Sequence, residues 1–241
     1  MGRIPVLECL RAGRRRPLRL HVLASARGLD DILAAARGVP VVQADRAELD
    51  RLAEGGVHQG VVLHAGPLPL HDLDRWLDRL NARDAFVVLL DSIEDPRNFG
   101  AIVRSAAACG AAAVVFARDR AAPLSPAAFK TAAGAMEHVD LVQVTNLSRA
   151  VQTLQKSGFW VAALDADAEK SLWEADLTGR MALVVGNEGE GIRRLVRERC
   201  DYALSIPLTG AISSLNASVS AGIALAECRR QRWLKDRPAG K

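Results

Sequence analysis

From Phe86 to the last helix, the chain alternates short, uninterrupted apolar runs with helical stretches. The apolar runs read FVVLL, AAVVFA, LVQV, FWVAAL, MALVVG and YALSI, while NFGAIVRSAAACG, SPAAFKTAAG, LSRAVQTLQKSG and IRRLVRERC fall among them. A strand that is apolar at every position has no polar face to give to water, so it needs helices packed on both sides. This pattern predicts an α/β fold built on a parallel sheet. Sheets of that kind bind ligands beyond the carboxyl ends of their strands. The loops after Leu90, Gly186 and Ile206 are therefore the ones to read for chemistry.

Ahead of this region the spacing predicts a smaller α/β unit. IPVLECLRAG, LDDILAAARG and RAELDRLAEG are helical in pattern, and LRLHVLA, VPVVQ and GVVLHA are strand-like. GPLPLHD then punctuates the chain with two prolines and a glycine, and an amphipathic LDRWLDRLNAR follows. At 241 residues the chain can hold two modest domains. We place them at residues 1–66 and 85–241, with residues 67–84 as the linker.

Composition narrows the classes. With 49% hydrophobic and 25% charged residues, a soluble globular protein is expected. No apolar run reaches the roughly 18 residues of a membrane span, and the start lacks a secretory signal pattern, so a cytoplasmic location is expected. The 4 cysteines form no CxxC pair and the 5 histidines are scattered, so reduced thiols and no metal site are expected. The net charge of +4 decides little, but RAGRRRPLR, Arg11 to Arg19, holds five arginines and no acid. That run is either a phosphate-binding patch or a solvated turn.

In the first loop, DSIEDPRNFGAIVRSAAACG, Pro96 marks a turn and Asn98 is the expected N-cap of the next helix. Gly100 lets another backbone come close. Arg104 lies on a helix otherwise lined by Ala, Ile, Val and Cys, and is either a surface side chain or one held toward a site. The second loop, VVGNEGEGIRR, joins strand to helix where phosphate-binding turns occur. Yet it carries Glu188 and Glu190, with no lysine or serine before Arg193. An acidic loop repels a diphosphate and suits a cation with amine donors, such as the sulfonium and adenine of S-adenosylmethionine. In the third, LSIPLTGAISSLNASVSAG, Pro207 stops the strand and Ser213 or Ser214 can cap the final helix. The small residues beyond permit close helix packing, as at a tight subunit interface. Neither capping by serine nor packing accounts for Asn216.

Taken together and in this order, the three loops resemble the signature motifs of the SpoU branch of the SPOUT RNA 2′-O-ribose methyltransferases. Asn98, Gly100 and Arg104 match the first motif, Gly186 to Gly191 the second, and Ile206-Pro207 through Ser214, Leu215 and Asn216 the third. QVTNLSRAVQTLQ and GGVHQGVVL extend the similarity over nearly the whole chain, most closely to bacterial enzymes that methylate a guanosine ribose in 23S ribosomal RNA.

The resemblance implies a SPOUT α/β knot, with a deep trefoil knot in the C-terminal parallel-sheet domain. It also implies a small N-terminal α/β RNA-binding domain of ribosomal-protein type, a homodimer, and S-adenosyl-L-methionine as methyl donor. By the same resemblance Gly186, Ile206 and Leu215, with Asn187, Gly189 and Leu208, would hold the donor. Arg104, Asn98, Glu188, Ser214 and Asn216 would line the catalytic pocket. The family assigns the first-motif arginine as general base; the alternative for Arg104 is a phosphate clamp, since a guanidinium stays charged. Arg14, Arg15 and Arg16 would contact RNA. Relatives usually open with an extra strand and a GxHAV-like segment, whereas this chain starts at MGRIPVLECL, which implies a slightly shortened RNA-binding domain. Rival readings are a transfer-RNA methyltransferase, a resistance methyltransferase acting on ribosomal RNA, and a catalytically silent RNA-binding assembly factor.

Overall fold

Strand β5 (Phe86–Asp91) is buried at every position, and its side chains divide by parity between two cores. Phe86, Val88 and Leu90 enter one, and Val87 and Leu89 the other, as the period of 2 along a strand requires. The first core lies under helices α5 (Pro96–Cys109) and α9 (Ala217–Asp236). The second lies under α4 (Leu73–Arg79), α7 (Leu147–Lys156) and α8 (Arg194–Arg197). The protein, seen in a computed structural model that describes residues 1–119, 124–210 and 214–236, is thus layered helix, sheet, helix.

The remaining strands of this sheet are β4 (Leu70–His71), β6 (Ala113–Ala117), β7 (Asp140–Val144), β8 (Trp160–Leu164), β9 (Met181–Gly186) and β10 (Tyr202–Leu204). Their order is β10-β8-β9-β5-β6-β7-β4, and every neighbouring pair is parallel. Helix α6 (Pro126–Ala132) packs on α5, where a Cβ at Gly100 would meet the Ala128 carbonyl oxygen at 2.5 Å. The close approach expected at Gly100 is present. The small residues of α9 have an equally local use: Ala217, Ala221 and Ala224 are buried in the core that α9 shares with α5.

The N-terminal unit holds α1 (Arg3–Ala12), β1 (Pro17–Leu23), α2 (Asp30–Ala35), β2 (Val41–Ala44), α3 (Arg46–Leu52) and β3 (Val61–Ala65). Its sheet runs β2-β1-β3, with β1 parallel to β2 and antiparallel to β3. Val6, Leu20, Ile32 and Val61 form one small core, and Ala44, Leu49 and Val62 another. Within the stretch read as a linker, β4 joins the edge of the large sheet and Trp76 of α4 is buried in its core.

Candidate active site

Strand order reverses beside β5, with β6 and β7 on one side and β9 and β8 on the other. That reversal opens a crevice at the carboxyl ends of the strands, the usual ligand position in such sheets. Asp91 ends β5, Gly186 ends β9, and the two are register partners. The first two loops therefore leave the sheet side by side.

After β5, the cap of α5 is Asp95 rather than Asn98. The Asp95 side chain accepts from the Arg97 N–H at 2.8 Å, and Pro96 occupies the first helical position, where its missing N–H costs nothing. Asn98 consequently sits inside the first turn, nearly buried, with its amide free for other work.

After β9, the chain reverses tightly. Asn187 and Gly191 exchange main-chain hydrogen bonds of 3.2 Å each way, and Asn187 Oδ1 accepts from the N–H groups of Gly189 and Glu190 at 3.0 and 2.7 Å. A Cβ on Gly186 would lie 2.2 Å from the Gly191 carbonyl, so only glycine fits there. Beyond the reversal Arg193 reaches back to the buried Asp91, with its Nη2 2.6 Å from Oδ1.

Ahead of α9, the capping residue is Asn216. Its Oδ1 accepts from the Ser218 and Val219 N–H groups at 2.9 and 3.3 Å. This accounts for the asparagine that serine capping left over. Ser214 is exposed, and Ser213 lies outside the described residues.

Glu188 gathers the three loops at one atom. Its Oε1 accepts from Asn98 Nδ2 at 2.5 Å, from Asn216 Nδ2 at 2.8 Å and from the Ala217 N–H at 3.3 Å. Asn216 Nδ2 also donates to Asn98 Oδ1 at 3.0 Å. Charge-assisted bonds of this kind are stronger than neutral ones, and the α9 amino terminus adds a favourable dipole. No described residue bonds to Glu188 Oε2.

Beside this cluster lies a cleft of about 360 Å³. Gly186, Asn187, Glu188, Gly189, Ile206, Leu208, Ser214 and Leu215, all picked from the sequence, line it. Two carboxylates that the sequence reading missed, Asp165 and Asp167, line it as well. The legible signal was an acid pair directly after the apolar run FWVAAL. A hydrogen bond from Arg197, 2.8 Å from Asp165, holds the Asp165 carboxyl below the ordinary carboxylate range. No lysine or arginine occurs among the described lining residues, so the cleft favours a cation over a diphosphate. Asp91 and Arg193 were also missed; the signal was an acid closing the otherwise apolar FVVLLD.

Arg104 is not part of this cluster. It is exposed on α5, and no described residue pairs with it. Of the three arginines read as RNA contacts, two turn inward. Arg14 pairs with Asp140 and donates to the Val139 carbonyl at 3.1 Å. Arg15 pairs with Glu137, which is only 3% exposed, because a buried carboxylate needs a cation beside it. Arg16 alone of the three is exposed.

Known proteins are similar to this chain in sequence and in fold. The model of the SpoU rRNA Methylase family matches residues 85–226, and one described as RNA 2'-O ribose methyltransferase substrate binding matches residues 1–70. The 23S rRNA (guanosine-2'-O-)-methyltransferase RlmB of Pseudomonas syringae pv. tomato is 43% identical over 235 residues, covering 93% of each chain. The enzyme of that name from Escherichia coli (strain K12) is 44% identical over 197 residues, 81% of each chain. The SpoU methyltransferase AviRb from Streptomyces viridochromogenes, in complex with the cofactor AdoMet, superposes with a TM-score of 0.79 at 25% identity. That match covers 100% of this chain and 90% of AviRb. By both its sequence and its fold, the chain belongs to the SpoU rRNA methylase family.

Proposed function

We propose that this protein transfers a methyl group from S-adenosyl-L-methionine to a ribose 2′-hydroxyl of RNA, specifically of a guanosine in 23S ribosomal RNA. The observation that carries this is the convergence of Asn98, Glu188 and Asn216 at the mouth of an acid-lined cleft. Relatives named for the same reaction at 43% and 44% identity support the substrate.

S-adenosylmethionine supplies an electrophilic methyl carried on a sulfonium. The groups suited to hold it are the main chain of Gly186, Ile206 and Leu208, with Leu215 as an apolar wall and the nearby carboxylates for its positive charge. Asn98 and Asn216, each oriented by Glu188, present neutral amides to the incoming ribose. Holding hydroxyl and methyl in line can supply on the order of 7 to 11 kcal/mol in favourable intramolecular cases. A guanidinium holds its proton too tightly to serve as a base. We assign Arg104 to clamping the RNA phosphate and stabilising the developing alkoxide, while the hydroxyl proton passes to solvent and S-adenosylhomocysteine leaves as the neutral thioether product.

In this reading residues 1–66 capture RNA, residues 67–84 connect, and residues 85–241 carry out transfer. Arg16 is the exposed candidate for an RNA contact in the N-terminal unit. The chain threads a trefoil knot, pairs as a homodimer through α9, and works in the cytoplasm. No helix among the described residues is long and apolar enough to cross a membrane.

Incubation with labelled donor and unmethylated large-subunit RNA, followed by primer extension at limiting nucleotide, tests the assignment. A stop at one guanosine is expected. Label on transfer RNA alone, or none, refutes it. Sedimentation of a fully active monomer would remove the dimer from the account.

A further inference from the structure

Asp91 has no solvent exposure, and Arg193 satisfies both of its oxygens. The Arg193 main-chain N–H donates to Oδ2 at 2.8 Å, and its Nε donates to Oδ1 at 2.7 Å. Burying such a pair is expensive, and a well-packed apolar residue often serves stability as well or better. A sheet that needed only stability has no use for this carboxylate. Its position supplies another use.

Asp91 ends β5 opposite Gly186, between the origins of the first two loops. Ser92, the next residue, takes φ 59, a left-handed conformation costly for a residue with a Cβ. The segment from Asn187 to Arg193 is fixed at its start by the Asn187–Gly191 bonds and at its far end by Asp91. Glu188, which collects Asn98 and Asn216, lies within that span. Neither Asp91 nor Arg193 lines the acid-walled cleft.

We propose that Asp91 is a positioning residue for methyl transfer, holding Arg193 so that the loop from Asn187 to Arg193 aims Glu188 at its two asparagines. This rests on the methyltransferase reading above. Asp91 touches no reacting group, and its influence passes through Arg193 and Glu188.

Two variants test it from opposite ends. Asp91→Asn keeps the shape and removes the charge, whereas Arg193→Gln alters a side chain that is 34% exposed and spares the core. Each full-length protein is checked for folding by circular dichroism, then assayed with S-adenosylmethionine and unmethylated large-subunit RNA. The folded variants should lose kcat by on the order of 100-fold, with KM for RNA unchanged, as expected of a displaced catalytic group. In a Glu188→Gln background the same substitutions should lower kcat by less than about twofold more, because the route they act through is already cut. Equal losses in both backgrounds, or wild-type kcat in folded Arg193→Gln, overturns the proposal. Should Asp91→Asn fail to fold, Arg193→Gln decides alone. A wild-type enzyme that labels no RNA instead removes the methyltransferase reading, and this inference with it.

Discussion

All positions of β5 are buried, whereas in β2 only Ala44 is. The two strands represent two ways of holding a unit together. The large sheet is covered by helices on both faces, and its two cores are continuous from β6 across to β8. The small sheet keeps two separate cores, and its contacts with the large unit include the polar pairs Arg14 to Asp140, Arg15 to Glu137, and His138 to Glu8 at 2.7 Å. The candidate donor cleft sits on the loops at the carboxyl ends of the large sheet. On the proposed reading, the large unit binds the donor and carries out transfer, while the small unit makes the first capture of RNA.

Arg104→Ala should have the largest effect. It should abolish methylation, measured with labelled donor, and leave donor affinity nearly unchanged, measured by calorimetry. Methylation at the wild-type rate would break the assignment of this arginine.

Next in size is Arg15→Ala, which strands Glu137 without its cation inside the interface between the units. Removing one partner of a buried pair costs about 3–5 kcal/mol, so the urea midpoint should fall clearly. An unchanged midpoint would mean that the pair does not hold the two units together.

Leu20→Ala opens the small core and should cost about 2–5 kcal/mol. Its consequences should stay on the small unit, with RNA binding weakened and donor binding kept. Loss of both together would show that the units do not have separate duties.

The smallest effect is on acid stability. The folded-state pKa of Asp165 is depressed, chiefly by its hydrogen bond from Arg197. The stabilisation is therefore fully present above the unfolded value of about 3.9 and is lost as pH falls through the lower folded value. Because the pair is partly exposed, Arg197→Gln should shift the acid unfolding midpoint only slightly upward. A large shift would mean the carboxylate is more deeply shielded than its geometry implies.

The sequence makes the large unit legible because continuous apolar runs demand burial on both faces. FVVLL, MALVVG and FWVAAL each became a parallel strand for that reason. The acidic loop was legible because its charge excludes a phosphate-rich ligand whatever the fold. Other features depend on who meets whom in space. Arg14 and Arg15 read as a basic patch, but their acids lie 126 and 122 residues away. Asn98 read as a cap because asparagine suits that place, but Asp95, three residues earlier, takes it, and Pro96 at the first helical position settles the choice. The alanines of α9 suggested close helix packing, and α5 of the same chain provides it for Ala217, Ala221 and Ala224. Asp91 and Arg193 are 102 residues apart: the acid closing FVVLLD marks Asp91, but nothing local names its partner.

Titration calorimetry of S-adenosylmethionine into wild type, Gly186→Ala and Arg104→Ala tests the central claim most directly. A Cβ at position 186 must push the Gly191 carbonyl away, disturbing the wall of the cleft, whereas Arg104 lies outside that wall. Saturable binding by wild type and Arg104→Ala, with marked weakening in Gly186→Ala, is the predicted result. Equal binding by wild type and Gly186→Ala, or no binding by the wild-type protein, would contradict the claim that these loops cradle the donor.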